Sequence, residues 1–259
     1  MPTQFGRVWP PKESERVAKR LIEIGDYEGD IPRLLERRLT QTAHPFTLTT
    51  NEKDIDVELA EPGGLDALCV ALALLFCRDL CQFELARLTD RLPLTLVEKQ
   101  AVLAESVRYA RKVERPGAVR RALKAYLDEE EVLNLSGYMR FRMPETINAW
   151  RLCVQSSMEE LLLEKEYLEL MGVLRAFVQV KPTRVREVSL LLHPDGSCTL
   201  TDESDARIDY EACDPDRLVS VLVDLAPERL TVYNLSEANS TPLTEMLARV
   251  FAGRVRFVH

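Results

Sequence analysis

The sequence predicts an α/β protein of α+β character, with a mostly helical N-terminal half carrying one β-hairpin, a long linking helix, and a C-terminal ββαβαβ layer. Three observations lead there. Apolar residues recur at helical spacing through residues 65–128 and again through 144–180. The spacing falls to strict alternation beyond Pro182, at "EVSLLLH" and "SCTLTD". With 46% apolar residues in 259, the chain can bury one large core or two small ones.

Over the first 40 residues, "WPPK" is followed by a charged amphipathic segment and then "GDIPRLLERRL", which predicts two short helices. Asp30 is the expected N-cap of the second, with Pro32 in its first turn. "FTLTTNEKDIDVEL" (46–59) alternates on both sides of a polar turn and predicts the hairpin. "EPGG" breaks the chain before an apolar helix over 65–90, whose run "ALCVALALLFC" is 11 residues long against the roughly 20 that a bilayer needs. No membrane span is expected.

Thr95 and Glu98 have the spacing of a capping box, and "ERPG" separates that helix from a third ending near Asp128. Pro144 opens the longest helical pattern, where its missing N–H costs nothing. Ile147, Trp150, Val154, Met158 and Leu161 form one apolar stripe; Leu163, Tyr167, Leu170, Leu174 and Phe177 form another. Together they predict a helix buried on a wide face. In the C-terminal layer, Asp195-Gly196 marks a tight turn and Asp214-Pro215 a helix start, while Thr241-Pro242 and Gly253 bracket a last helix. The final two strands are expected to run parallel through a right-handed crossover. The expected division is 1–130 and 131–259, with the α/β layer at 186–259.

The charged fraction of 29% and formal net charge of -8 describe an acidic protein without a global lean toward nucleic acid. The N-terminus lacks an apolar leader core, and the six cysteines contain no CxxC pair, which together place the protein in the reducing cytoplasm. Cys69, Cys77 and Cys81 fall near one helix face, where small buried apolar residues account for them more simply than a thiolate metal site. His44, His193 and His259 lack ligand spacing, and GxGxxG, P-loop, GxSxG and HExxH patterns do not occur. No metal or cofactor is expected, and no residue is assigned a catalytic role.

Two clusters are candidate sites. Arg140 and Arg142 precede the long helix, which carries Glu160, Glu164, Glu166 and Glu169. Pairing of Arg142 with Glu166 or a neighbour would lock the joint; alternatively, the arginines bind an anionic ligand, or a pocket around Arg142 and Glu166 serves an enzyme. The aromatic and basic "GYMRFRM" has a superficial likeness to RNA-stacking strands, against which Phe141 is expected in the core. The second cluster is "RYARKVERPGAVRRALK" (108–124). Arg108, Arg111, Lys112, Arg115, Arg120, Arg121 and Lys124 oppose Glu114 alone, a nucleic-acid or other anion-binding patch unless "DEEE" and the Glu-rich long helix neutralise it.

"LNLSGYMRFRMPETI" followed by "MEELLLEKEYLELMGVLRAFV" resembles the YtxC-like sporulation proteins of endospore-forming bacteria. That family shows an Asn, then Gly-aromatic, then Phe-Arg, leading into a long helix with a Glu-Tyr pair. The matching positions are Asn134, Gly137, Tyr138, Phe141, Arg142, Glu166 and Tyr167. The likeness is strongest over 134–178 and covers about half the chain, running on through "PERLTVYNL". Pro144-Glu145-Thr146 departs from the polar and aromatic helix start of the family. The resemblance implies a cytoplasmic, sporulation-associated protein and brings no established catalytic residues. It favours a non-enzymatic protein with a protein partner, and nucleic acid is the second candidate partner.

Overall fold

The computed structural model describes residues 3–5, 17–51, 53–60, 62–195, 197–208, 215–235 and 241–258. They divide into two compact units, Met1–Leu161 and Leu162–His259.

The sheet of the first unit is built around the predicted hairpin, β3 (Phe46–Thr50) and β4 (Asp54–Ala60). Ile55, Val57 and Leu59 point into the core while Asp56 and Glu58 point away, the two-residue period of a half-buried strand. Three further strands enlarge it: β1 (Thr3–Phe5), β2 (Val17–Glu23) and β5 (Val132–Asn134), in the order β1-β3-β4-β2-β5. The strand β2 corrects the expected first helix. "VAKRLIE" carries long charged side chains that suit either period, and pairing decides: β2 runs antiparallel to β4 over its whole length and parallel to β5. Lys19 sits opposite Glu58 in that register and bonds it at 2.5 Å, while Ile22 is fully buried. The "WPPK" stretch lies outside the described residues.

Helices α1 (Ile31–Thr40), α2 (Gly64–Leu74), α3 (Cys81–Asp90), α4 (Leu96–Val113), α5 (Pro116–Glu129) and α6 (Leu135–Arg142) complete this unit, together with the start of α7 (Pro144–Val180). Asp30 caps α1 by accepting from the Arg33 amide at 3.1 Å. The capping box of α4 forms: the Thr95 amide donates to Glu98 at 2.8 Å, and the Glu98 amide donates to the Thr95 hydroxyl at 3.4 Å. The predicted apolar helix over 65–90 is continuous, with one refinement: α2 passes into α3 through a π-helical stretch, Leu75–Leu80. Leu68, Leu72, Leu75, Phe76 and Leu80 are fully buried along it. Cys69, Cys77 and Cys81 are buried in the same segment, and burial pushes the Cys69 and Cys77 thiols up to about 11, out of reach of thiolate chemistry at neutral pH.

The second unit holds the predicted ββαβαβ order: β6 (Glu187–Leu192), β7 (Cys198–Asp202), α8 (Pro215–Leu225), β8 (Arg229–Asn234), α9 (Pro242–Val250) and β9 (Val255–Val258). Strand order is β7-β6-β8-β9, antiparallel between β6 and β7 and parallel across both other pairs. Val188, Leu190, Leu200, Leu222, Val232 and Phe251 form its core. The Thr241 hydroxyl accepts from the Thr244 amide at 3.2 Å as the expected cap of α9, and Gly253 takes the positive φ of 86° that ends it. The cap predicted at Asp214 and the turn residue Gly196 lie outside the described residues. Among the described residues, no helix is long and apolar enough to cross a membrane.

Candidate functional site

The corner that opens α6 is built by Asn134, the last residue of β5. Its Oδ1 accepts from the Gly137 amide at 2.7 Å and the Ser136 hydroxyl at 3.1 Å, while its Nδ2 donates to Glu23 of β2 at 2.9 Å. One side chain thus caps a helix and ties it to the sheet. A Cβ on Gly137 would stand 3.1 Å from that same Oδ1, tighter than ordinary packing allows. Gly25, at φ 71°, passes so close that a Cβ there would lie 2.1 Å from the Ser136 Oγ. Tyr138 follows, buried between Phe76 and Tyr126 with ring centroids 5.4 Å from each.

"GYMRFRM" is therefore helical, and its aromatic side chains do not share a sheet face. Phe141 is 76% exposed, which corrects its expected place in the core. Leu135, Tyr138 and Met139 set the buried side of α6, and at 3.6 residues per turn Phe141 falls roughly 120° from its centre. Arg140 pairs with Asp26 at 3.1 Å, and the Arg142 guanidinium lies 5.9 Å from the centroid of the Tyr126 ring. Both arginines belong to the first unit, whereas Glu166 and Tyr167 are exposed on the part of α7 in the second. Within the first unit, Arg140 is held by Asp26 and Arg142 by the Tyr126 ring.

Arg140 also borders a cleft of about 660 Å³ shared with Tyr27, Glu84 and Arg87. Tyr27 donates to Glu84 at 3.3 Å, and Arg87 bonds the other oxygen of that carboxylate at 2.5 Å. Burial, reinforced by the Glu84 charge, raises the Tyr27 hydroxyl above its ordinary value and keeps it a proton donor. The Glu84 carboxylate is committed to these two partners.

The basic segment maps onto the end of α4 and the start of α5. Arg120 and Lys124 straddle Asp66 at 2.6 and 3.8 Å, and the hydrogen bond from Arg120 holds that carboxyl below its ordinary value. Arg108 pairs with Glu105. Arg108 and Lys112 lie over the ring of Tyr109, 5.5 and 5.1 Å from its centroid. Among the described residues, the acids paired with this segment are Asp66 and Glu105. Asp66 lies 54 residues from Arg120, out of sight of any local charge count. Among the described residues, Arg111, Lys112, Arg115 and Arg121 make no ion pair; Arg111 and Lys112 occupy the last turn of α4, where cations offset the helix dipole.

What the sequence missed is the exposed side of α7. Trp150 and Val154 of the first apolar stripe are buried as expected. In the second unit, however, α7 packs through Met171 and Val178, leaving Leu163, Leu170, Val173, Phe177 and Val180 at 64, 54, 67, 52 and 85% exposure. At 100° per residue these five fall on one side of the helix. Glu159, Glu164, Glu166 and Glu169 are exposed along it as well. The signal available in the sequence was excess: leucine, valine and phenylalanine occur on more faces than one packing surface can take.

A family model described as the YtxC-like family matches residues 90–256, well over half the chain. The match spans the Asn134 corner, the basic segment and all of α7. No curated protein and no solved structure matches the chain.

Proposed function

The chain belongs to the YtxC-like family, and on that premise we propose that it acts in the sporulation programme as a non-enzymatic protein that works by binding. The cytoplasm is the compartment this reading assigns to it. The observation that carries this reading is the apolar face of α7 over 163–180. Five large apolar side chains exposed on one helix form a patch of the kind soluble proteins keep for partners. The occupant we assign is an amphipathic helix of a partner protein with basic residues beside its apolar stripe, because the exposed Glu166 and Glu169 fall on the same side of the helix as the apolar residues and give it negative charge.

The test is a photo-crosslinking residue placed at Leu170 in sporulating cells, with the same residue at Arg121 as an off-face control. The expected result is one specific adduct from position 170, abolished by the Leu163→Ser/Phe177→Ser background with the melting temperature unchanged. A self-adduct would make the partner a second copy, and labelling equal to that from position 121 would refute the surface. A nucleic-acid reading draws on Arg111, Lys112, Arg115 and Arg121, the cations of the basic segment that are exposed and make no ion pair among the described residues. It requires binding that falls steeply with salt and is lost on Arg115→Ala/Arg121→Ala.

A further inference from the structure

A second cavity in the first unit, of about 550 Å³, gathers Arg37, Arg38, Arg78 and Arg111 around Asp79 and Glu114. The sequence scatters these residues over three helical segments and offers no motif for them. Arg38 grips Asp79 with two parallel bonds, Nε to Oδ2 at 2.7 Å and Nη2 to Oδ1 at 2.9 Å, and Arg37 adds a third at 2.8 Å. Asp79 and Arg38 are both buried, so this pair forms the floor of the cavity.

The rim differs. The side chains of Arg37 and Arg78 are 55 and 56% exposed, and Arg78 comes no nearer than 3.9 Å to the buried carboxylate of Glu114, beyond hydrogen-bond length. Arg37, Arg78 and Arg111 therefore keep N–H donors that no acid in the cavity uses fully. The π-helical turn Leu75–Leu80 carries Arg78 and Asp79 as neighbours, one on the rim and one in the floor; such turns recur at ligand sites.

We propose that this cavity binds a phosphomonoester dianion carried by a small molecule. With both acids ionised, four guanidinium groups against two carboxylates leave a charge of +2, which balances a phosphomonoester of about -2. Guanidinium forks match the oxygen geometry of phosphate better than ammonium groups do. The volume exceeds what phosphate alone fills and lies in the range of small-ligand pockets. Burial raises the Glu114 carboxyl while Arg78, Arg111 and Arg38 pull it back, and protonation there would only increase the positive charge.

The experiment is calorimetric titration of the full chain with inorganic phosphate, glycerol phosphate and dimethyl phosphate, repeated on Arg78→Ala/Arg111→Ala and on the off-site control Arg91→Ala, an exposed arginine of the same unit outside the cavity and the basic segment. The first two ligands should bind, the diester should bind about tenfold more weakly or not at all, and the double variant should lose about tenfold in affinity with an unchanged melting temperature. Glycerol phosphate should bind more tightly than inorganic phosphate; equal binding would mean that the cavity takes free phosphate and overturn the assignment to an organic ester. The proposal is overturned if glycerol phosphate does not bind, if the diester binds equally well, or if the double variant binds as the unaltered chain does. The α7 crosslinking test lies in the other unit, so either result stands without the other.

Discussion

The two ends of α7 are one helix in covalent terms and two surfaces in physical terms. Over its first turns, Trp150 at 1% exposure, Cys153, Val154 and Ser157 face into the first core. Over its last turns, Met171 and Val178 enter the second core, while Leu170 and Phe177 remain more than half exposed. The second end is the richer in apolar residues, 12 of 19 over 162–180 against 8 of 18 over 144–161, yet it buries fewer of them. The difference lies in how many sides of the helix meet packed neighbours. Apolar content alone therefore measures capacity for burial, and an excess over what the fold uses marks a surface left for something else.

Truncating the side chain that the first end buries most should have the largest effect. Trp150→Ala empties a large fully buried site and is expected to cost about 3–5 kcal/mol, read as a lower urea midpoint of the transition reporting the first unit. Loss of under about 1 kcal/mol would mean that this end of α7 is no more committed than the other. Met171→Ala is the matching change in the second unit, where a flexible thioether is removed from a core that can partly close around it. Its cost should fall at the lower end, about 2 kcal/mol, in the transition of the second unit. If both variants shift a single common transition, the two cores unfold cooperatively and the contrast between the ends of the helix weakens.

Asn134→Ala should cost about 1 kcal/mol, the scale of one lost helix cap, with Asn134→Ser recovering part of it because a hydroxyl can cap but cannot also reach Glu23. That corner shows what the sequence disclosed. Caps at Asp30, Thr95 and Thr241 were legible because the capping residue and the amide it serves lie three apart in the chain. The role of Asn134 was half legible: its bond to Gly137 is local, whereas its bond to Glu23 spans 111 residues. The strand β2 was hidden for the same reason, since its identity comes from β4 and β5 and not from its own period. The arginine cavity was the least legible. Arg38 and Asp79 stand 41 residues apart on helices whose local patterns are ordinary, and only packing brings them together.

The smallest effect on stability is expected where the exposed apolar residues are largest, and it tests the contrast most sharply. Phe177→Ser and Leu170→Ser remove side chains that bury little surface within the chain, so each should change stability by no more than about 0.5 kcal/mol, far below Met171→Ala one residue away from Leu170. Exchanging an exposed leucine or phenylalanine for serine also removes apolar surface from water, which favours solubility in the free protein. A partner helix docked on this face would reverse that balance. The same two substitutions should then shorten the residence time of the complex, because truncated apolar anchors act mainly on dissociation. The distinguishing measurement is the pair of values taken together. Near-zero change in the free protein with faster dissociation assigns these residues to a partner, whereas a cost near that of Met171→Ala would mean that the second unit itself uses them as core.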